Sequence, residues 1–79
     1  MRKIRLFFNP SCAYCLTLKK FLEKNNILFQ SIDISKNKQA RQDMINGSGQ
    51  IGLPVLAIDK EFIVGFDREK ICKSLNIKT

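Results

Sequence analysis

Two cysteines separated by two residues, in the run Cys12-Ala13-Tyr14-Cys15, carry the chemistry of this chain. They stand where an apolar stretch, Ile4 to Phe8, gives way to a helical pattern. A sulfur at such a junction lies beside the unpaired amides of a helix start, which favour the thiolate. With Ser11 read as the N-cap, Cys12 takes the first helical position, and the amides of Tyr14 and Cys15 come within its reach. A free thiol of pKa about 8.5 is only ~3% ionised at pH 7, whereas lowering it to about 6, roughly 3.4 kcal/mol, makes it mostly thiolate. Cys15 lies nearly one turn deeper and waits as the resolving thiol. The spacing therefore predicts dithiol-disulfide exchange, with Cys12 attacking and Cys15 releasing the mixed disulfide.

Composition narrows the alternatives. The chain has no histidine, which excludes Cys-His and Ser-His mechanisms and every histidine-containing metal site. Cys72 is the third cysteine and has no neighbour of its kind. It reads as a buried structural thiol, so a metal or [2Fe-2S] carrier could be built on Cys12 and Cys15 only with a second chain or with glutathione. That carrier is the alternative use of the same pair. The 14 basic and 7 acidic residues leave a net charge of +7. These cations are spread from Arg2 to Lys78 without interleaved aromatics, which predicts a solvated basic surface rather than a nucleic-acid site. No apolar run approaches the ~20 residues of a membrane span, and no secretory leader is recognisable. A cytoplasmic location is expected, where a cysteine pair is catalytic or metal-binding rather than a structural staple.

The elements that must position the pair follow from periodicity. Lys3 to Phe8 reads as a buried strand, with Ile4, Leu6 and Phe8 on one face and Phe7 on the other. From Ala13 to Asn25, Cys15, Leu18, Phe21 and Leu22 recur at helical spacing. Ile27 to Ile34 alternates as a second strand, parallel to the first across a right-handed crossover. Ser35 is read as the cap of a helix from Lys36 to Asn46, whose narrow apolar stripe is Ala40, Met44 and Ile45. Gly47, Gly49 and Gly52 then read as a loop leading to Leu53-Pro54. Val55 to Ile58 and Phe62 to Val64 form a hairpin joined at Asp59-Lys60-Glu61. A last helix is capped by Asp67 and turns Ile71, Cys72 and Leu75 inward. Residues 1–79 thus form one α/β domain, β-α-β-α-β-β-α, with a four-stranded mixed sheet and helices on both faces. Cys12 falls at the carboxyl end of the first strand, where ligands of open α/β sheets gather.

That topology, with the cysteine pair after the first strand and an X-Pro before the third, resembles the thioredoxin superfamily and most closely its glutaredoxin-like branch. Cys12-Ala13-Tyr14-Cys15 differs from the glutaredoxin Cys-Pro-Tyr-Cys at its second position. Leu53-Pro54-Val55 falls where the family keeps a cis-proline facing the cysteines. Val64-Gly65-Phe66-Asp67 falls where glutaredoxins carry a Gly-Gly turn. The resemblance implies disulfide exchange on a disulfide-containing protein substrate, with no bound cofactor, by a monomer. It places Cys12 and Cys15 as catalytic residues and Tyr14, Leu53, Pro54, Gly65, Phe66 and Asp67 as the surface that meets the substrate. A cis peptide at Pro54 would leave the Leu53 backbone free to pair with a substrate strand, whereas the residues alone also admit an ordinary edge-strand proline. Two electron donors compete, glutathione and thioredoxin reductase. Glutaredoxins usually carry a lysine near the glutathione carboxylate where this chain has Asn9. Their second turn glycine is Phe66 here, and both departures lean toward redoxins fed by thioredoxin reductase.

Overall fold

The computed structural model describes residues 3–77. The elements run β1 (Ile4–Phe8), α1 (Ala13–Lys24), β2 (Gln30–Asp33), α2 (Lys38–Ser48), β3 (Val55–Ile58), β4 (Glu61–Val64) and α3 (Arg68–Leu75). One four-stranded sheet has the order β2-β1-β3-β4. β1 pairs parallel with β2, and β3 pairs antiparallel with both β1 and β4. The mixed sheet expected from the element order is therefore present. β3 lies inside the sheet and is buried along its whole length, which is why Val55 to Ile58 is an unbroken apolar run.

Strand alternation distributes the core over two faces. On one, Ile4, Leu6, Leu56, Ile58 and Ile63 meet Leu18 and Leu22 of α1 and Ile71 of α3. On the other, Phe7, Val55 and Ala57 meet Ala40 and Met44 of α2. Helices thus cover both faces, α1 and α3 together and α2 alone. The apolar stripe of α2 is narrow because one helix needs to cover only its own side.

Three boundaries differ from the periodic reading by two residues or more, each for a local reason. β2 begins at Gln30 rather than Ile27. The Ile27 amide bonds to the Leu22 carbonyl and Asn26 turns left-handed at φ 57°, so the end of α1 consumes these residues before pairing with β1 can start. Ile27 and Phe29 instead pack beneath the α1 face, while Leu28 points outward, 83% exposed. α2 is capped by Asn37, whose side chain accepts the Ala40 amide at 2.9 Å, and not by Ser35. Ser35 donates both its amide and its hydroxyl to Asp33 and is occupied there. The same helix continues through Gly47 and ends at Gly49, a left-handed C-cap with φ 76°. Gly47 sits inside the helix because the Phe62 ring of β4 lies where its β-carbon would be.

Candidate active site

The register collects the functional segments at one edge of the sheet. Phe8, the last residue of β1, is followed by the loop carrying the cysteines. Phe7 is paired with Val55, so Leu53 and Pro54 emerge beside that loop. Val55 is paired with Val64, so Gly65 follows at the same edge, and Phe8 is paired with Asp33, which leads to Ser35 and α2. Chain segments distant in sequence thereby surround one helix start.

Between β1 and α1 the chain makes a turn set by Asn9. Its side chain accepts the Ser11 amide at 2.9 Å, and its carbonyl accepts the Cys12 amide at 3.2 Å. Cys12, extended at φ −90° and ψ 105°, is the N-cap of α1, so Ser11 does not cap the helix and Cys12 stands one residue earlier than expected. The reason is the Asn9 turn, which engages Ser11 and brings the Cys12 sulfur to the capping position. The Cys15 amide donates to that sulfur at 3.0 Å. Of the two amides expected there, Cys15 supplies the bond. Cys12 and Cys15 are joined as a disulfide with their α-carbons 5.3 Å apart. Cys12 is half-buried and Cys15 is 4% exposed. The more accessible sulfur is thus also the one that an amide can stabilise as an anion.

The surrounding segments have unequal roles. The Leu53-Pro54 peptide is cis, Pro54 is fully buried, and its carbonyl accepts the Gly65 amide at 2.8 Å. Leu53 is half-buried against the α2 face of the sheet. Gly65 is left-handed at φ 76°, a conformation that suits glycine. Phe66 is turned into the core face, its ring 5.4 Å from that of Phe21, and the Arg68 guanidinium lies 5.5 Å from the Phe21 ring on α1. Asp67 caps α3 by accepting the Lys70 amide. Tyr14, expected on the surface that meets the substrate, is 69% exposed. Cys72 is a free, buried thiol. Among the described residues no group of three or more cysteine, aspartate or glutamate side chains could hold a metal ion, and no helix is long and apolar enough to cross a membrane.

Two hollows add residues that the linear reading did not assign to the site. One, of about 580 Å³, is lined by Asn9, Ser35, Lys38, Arg41 and Gln42 together with Ile34. Its cations come from the first turn of α2 and reach Asn9 only because β2 returns parallel to β1. The other, of about 420 Å³, includes Cys12, Cys15 and Lys19. Here a signal was available, since Lys19 is four residues beyond Cys15 on the same helical stripe.

A cysteine pair at a helix start, on an edge of a four-stranded α/β sheet that also carries a cis-proline, defines a thiol-disulfide redox site. Comparison with known proteins assigns the family. Residues 4–63 match the glutaredoxin family model, and the chain belongs to that family. It is 34% identical over 70 residues to a glutaredoxin-like 8.6 kDa protein from the rubredoxin operon of Clostridium pasteurianum, covering 89% of this chain and 93% of that one. It is 31% identical over 67 residues to glutaredoxin 3 of Escherichia coli, covering 85% and 81% of the two chains. Among solved structures, a mutant of the thioredoxin-like protein BC3987 superposes with a TM-score of 0.90 at 33% identity, over 99% of this chain and all of that one. The NrdH-redoxin of Escherichia coli shares the fold, with a TM-score of 0.78 over 90% and 92% of the two chains. Family and cysteine pair together support a thiol-disulfide redox function.

Proposed function

We propose that this protein is a monomeric dithiol oxidoreductase that reduces protein disulfides through Cys12 and Cys15. The observation that carries the reading is the Cys12 sulfur standing at the cap of α1, with the Cys15 amide donating to it. In the reduced protein the Cys12 thiolate attacks one sulfur of a substrate disulfide, and the other leaves as a thiolate that takes a proton. Cys15, deprotonated, then attacks the Cys12 sulfur and expels the second substrate thiol. Two electrons pass to the substrate and the Cys12–Cys15 disulfide remains. The cis Leu53-Pro54 segment and the turn through Gly65 are the proposed docking surface for an extended substrate chain, with Tyr14, Phe66 and Asp67 at its margins.

Two donors are compatible with this cycle. Asn9 and Phe66 favour a flavoprotein of the thioredoxin-reductase type, because they stand where glutathione-dependent relatives carry a lysine and a glycine. Glutathione is favoured by a different observation. Lys38 and Arg41 line the hollow that contains Asn9, supplying from α2 the positive charge that position 9 lacks. The experiment is reduction of the Cys12–Cys15 disulfide by glutathione with glutathione reductase, run beside thioredoxin reductase with NADPH, with Cys12→Ser and Cys15→Ser as controls. Turnover with one supply names the donor. Activity unaffected by Cys12→Ser, or turnover with neither supply, would discard the reading in favour of a metal or [2Fe-2S] carrier using the same pair between two chains.

A further inference from the structure

Apart from Cys12 and Cys15, the residues lining the 420 Å³ groove take no part in the proposed exchange with protein substrates. β1 contributes Leu6 and Phe8 to it, and Ser31 of the edge strand β2 closes one side. The opposite wall is Cys12, Cys15, Leu16 and Lys19. Their spacings of three, one and three place all four on a single stripe of α1. Tyr14, Leu53, Pro54, Gly65, Phe66 and Asp67 are not among its lining residues, so it is separate from the docking surface on the proline side.

The wall chemistry specifies an occupant. Pro10, Ala13, Leu16, Leu6 and Phe8 make the groove mainly apolar, and Lys19 is the one charged side chain among the described residues that line it. Cys12 and Lys19 are about 10 Å apart along the helix axis, and helical side chains lean toward the N-terminus, which carries the Lys19 ammonium back toward the sulfurs. A volume of this size suits a small molecule. A molecule filling it meets a disulfide at one end, hydrocarbon along its length and one positive charge at the other.

We propose that this groove binds small aliphatic dithiols that carry a carboxylate, as direct reductants of the Cys12–Cys15 disulfide, and that Lys19 selects the anionic end. The proposal rests on the pair being exchange-active. A ligand thiolate attacks the Cys12 sulfur, the Cys12–Cys15 bond breaks, and Cys15 leaves as a thiolate that takes a proton. The second ligand thiol, once deprotonated, attacks its own sulfur in the mixed disulfide and releases the Cys12 thiolate. The ligand becomes a cyclic disulfide and the protein gains two electrons.

Dihydrolipoate and dihydrolipoamide test this, because they present the same dithiol with and without a negative charge. Reduction of the oxidised full chain would be followed in a single turnover by rapid alkylation and mass measurement, with the neutral dithiol dithiothreitol run alongside. The carboxylate is expected to react about three- to fivefold faster than the amide at low salt, the range of one exposed ion pair, and the preference should fade near 1 M salt. Lys19→Gln should bring the ratio close to one. Lys20→Gln, which removes an equal charge from an exposed position outside the groove, should leave it standing. Equal rates in the unaltered protein, or an equal loss in both variants, would overturn the proposal and assign any preference to general basic charge. A disulfide that dithiothreitol cannot reduce would refute the exchange reading and the groove proposal with it. A disulfide that dithiothreitol reduces while the two lipoyl compounds react alike would refute the groove alone.

Discussion

The Cys15 amide donates to the Cys12 sulfur at 3.0 Å, so the backbone of one cysteine holds the sulfur of the other at the cap of α1. The roles proposed for the pair follow from this arrangement, since a half-buried capping sulfur can meet a substrate while Cys15, at 4% exposure, meets only what is already bound to Cys12.

Cys15→Ser should accumulate a stoichiometric mixed disulfide between Cys12 and a model substrate, seen as a mass increase that a reductant reverses. Cys12→Ser should form essentially none, and its exchange rate should fall to that of the buffer thiols. A mixed disulfide trapped on Cys15 in the Cys12→Ser protein would reverse the assignment of roles.

Gly47→Ala has opposing effects whose sign the fold decides. In an isolated helix the change gains about 1 kcal/mol of propensity. Here the new methyl would meet the Phe62 ring, which stacks on Phe7 at 6.3 Å and lies under the Arg5 guanidinium. The ring is half-buried and held by these two neighbours, and overpacking of this kind costs about 1–3 kcal/mol. Net destabilisation is expected, lowering Tm by about 4–8 °C for each kcal/mol in a domain of this size. Thermal unfolding of Gly47→Ala, Phe62→Leu and the double variant checks it, and the double variant should lose less than the sum of the two.

Asp33 responds to acid. Its carboxylate accepts the Ser35 hydroxyl at 2.6 Å and the Ser35 amide at 2.9 Å, and the hydroxyl bond foremost holds its pKa below the usual 3.8. A carboxylate whose pKa is lower in the folded state contributes stability that is present above the unfolded value and is lost as pH falls through the folded one. Asp33→Asn and Ser35→Ala should both flatten the acid side of the stability curve below about pH 4, where the unaltered protein weakens. The check is urea unfolding across that range, and an unchanged acid limb in both variants would exclude Asp33 as its source.

Most of the architecture was legible from local pattern. The alternation in β1, the 3.6-residue stripe of α1, the hairpin and the Asp67 cap follow from periods and turn chemistry that a short segment carries in itself. The misplaced caps and the misread Gly47 involve competition between neighbouring polar groups or a distant partner. Ser11 and Ser35 are both good caps in isolation, yet Asn9 engages the Ser11 amide and Asp33 the amide and hydroxyl of Ser35, leaving Cys12 and Asn37 to cap α1 and α2. Gly47 looked like the start of a loop because glycine is a weak helix former, and only the position of Phe62 explains its presence inside one.

The candidate site divides in the same way. Cys12 and Cys15 were legible as a redox pair from two cysteines at a helix start, because one helical turn is enough to bring both sulfurs to the same end. The sequence alone therefore determined the class of chemistry and the order of elements that supports it. Which groups surround the pair required the sheet. Strand register brought Pro54 and Gly65 to the cysteine edge, and the parallel return of β2 brought Lys38 and Arg41 to Asn9. Packing turned Phe66 onto Phe21 and opened the groove that Lys19 shares with the sulfurs. Apart from Lys19, which shares a stripe of α1 with Cys15, these are contacts between residues far apart in the chain, which no local period encodes, and they arise only when both faces of the sheet are covered at once.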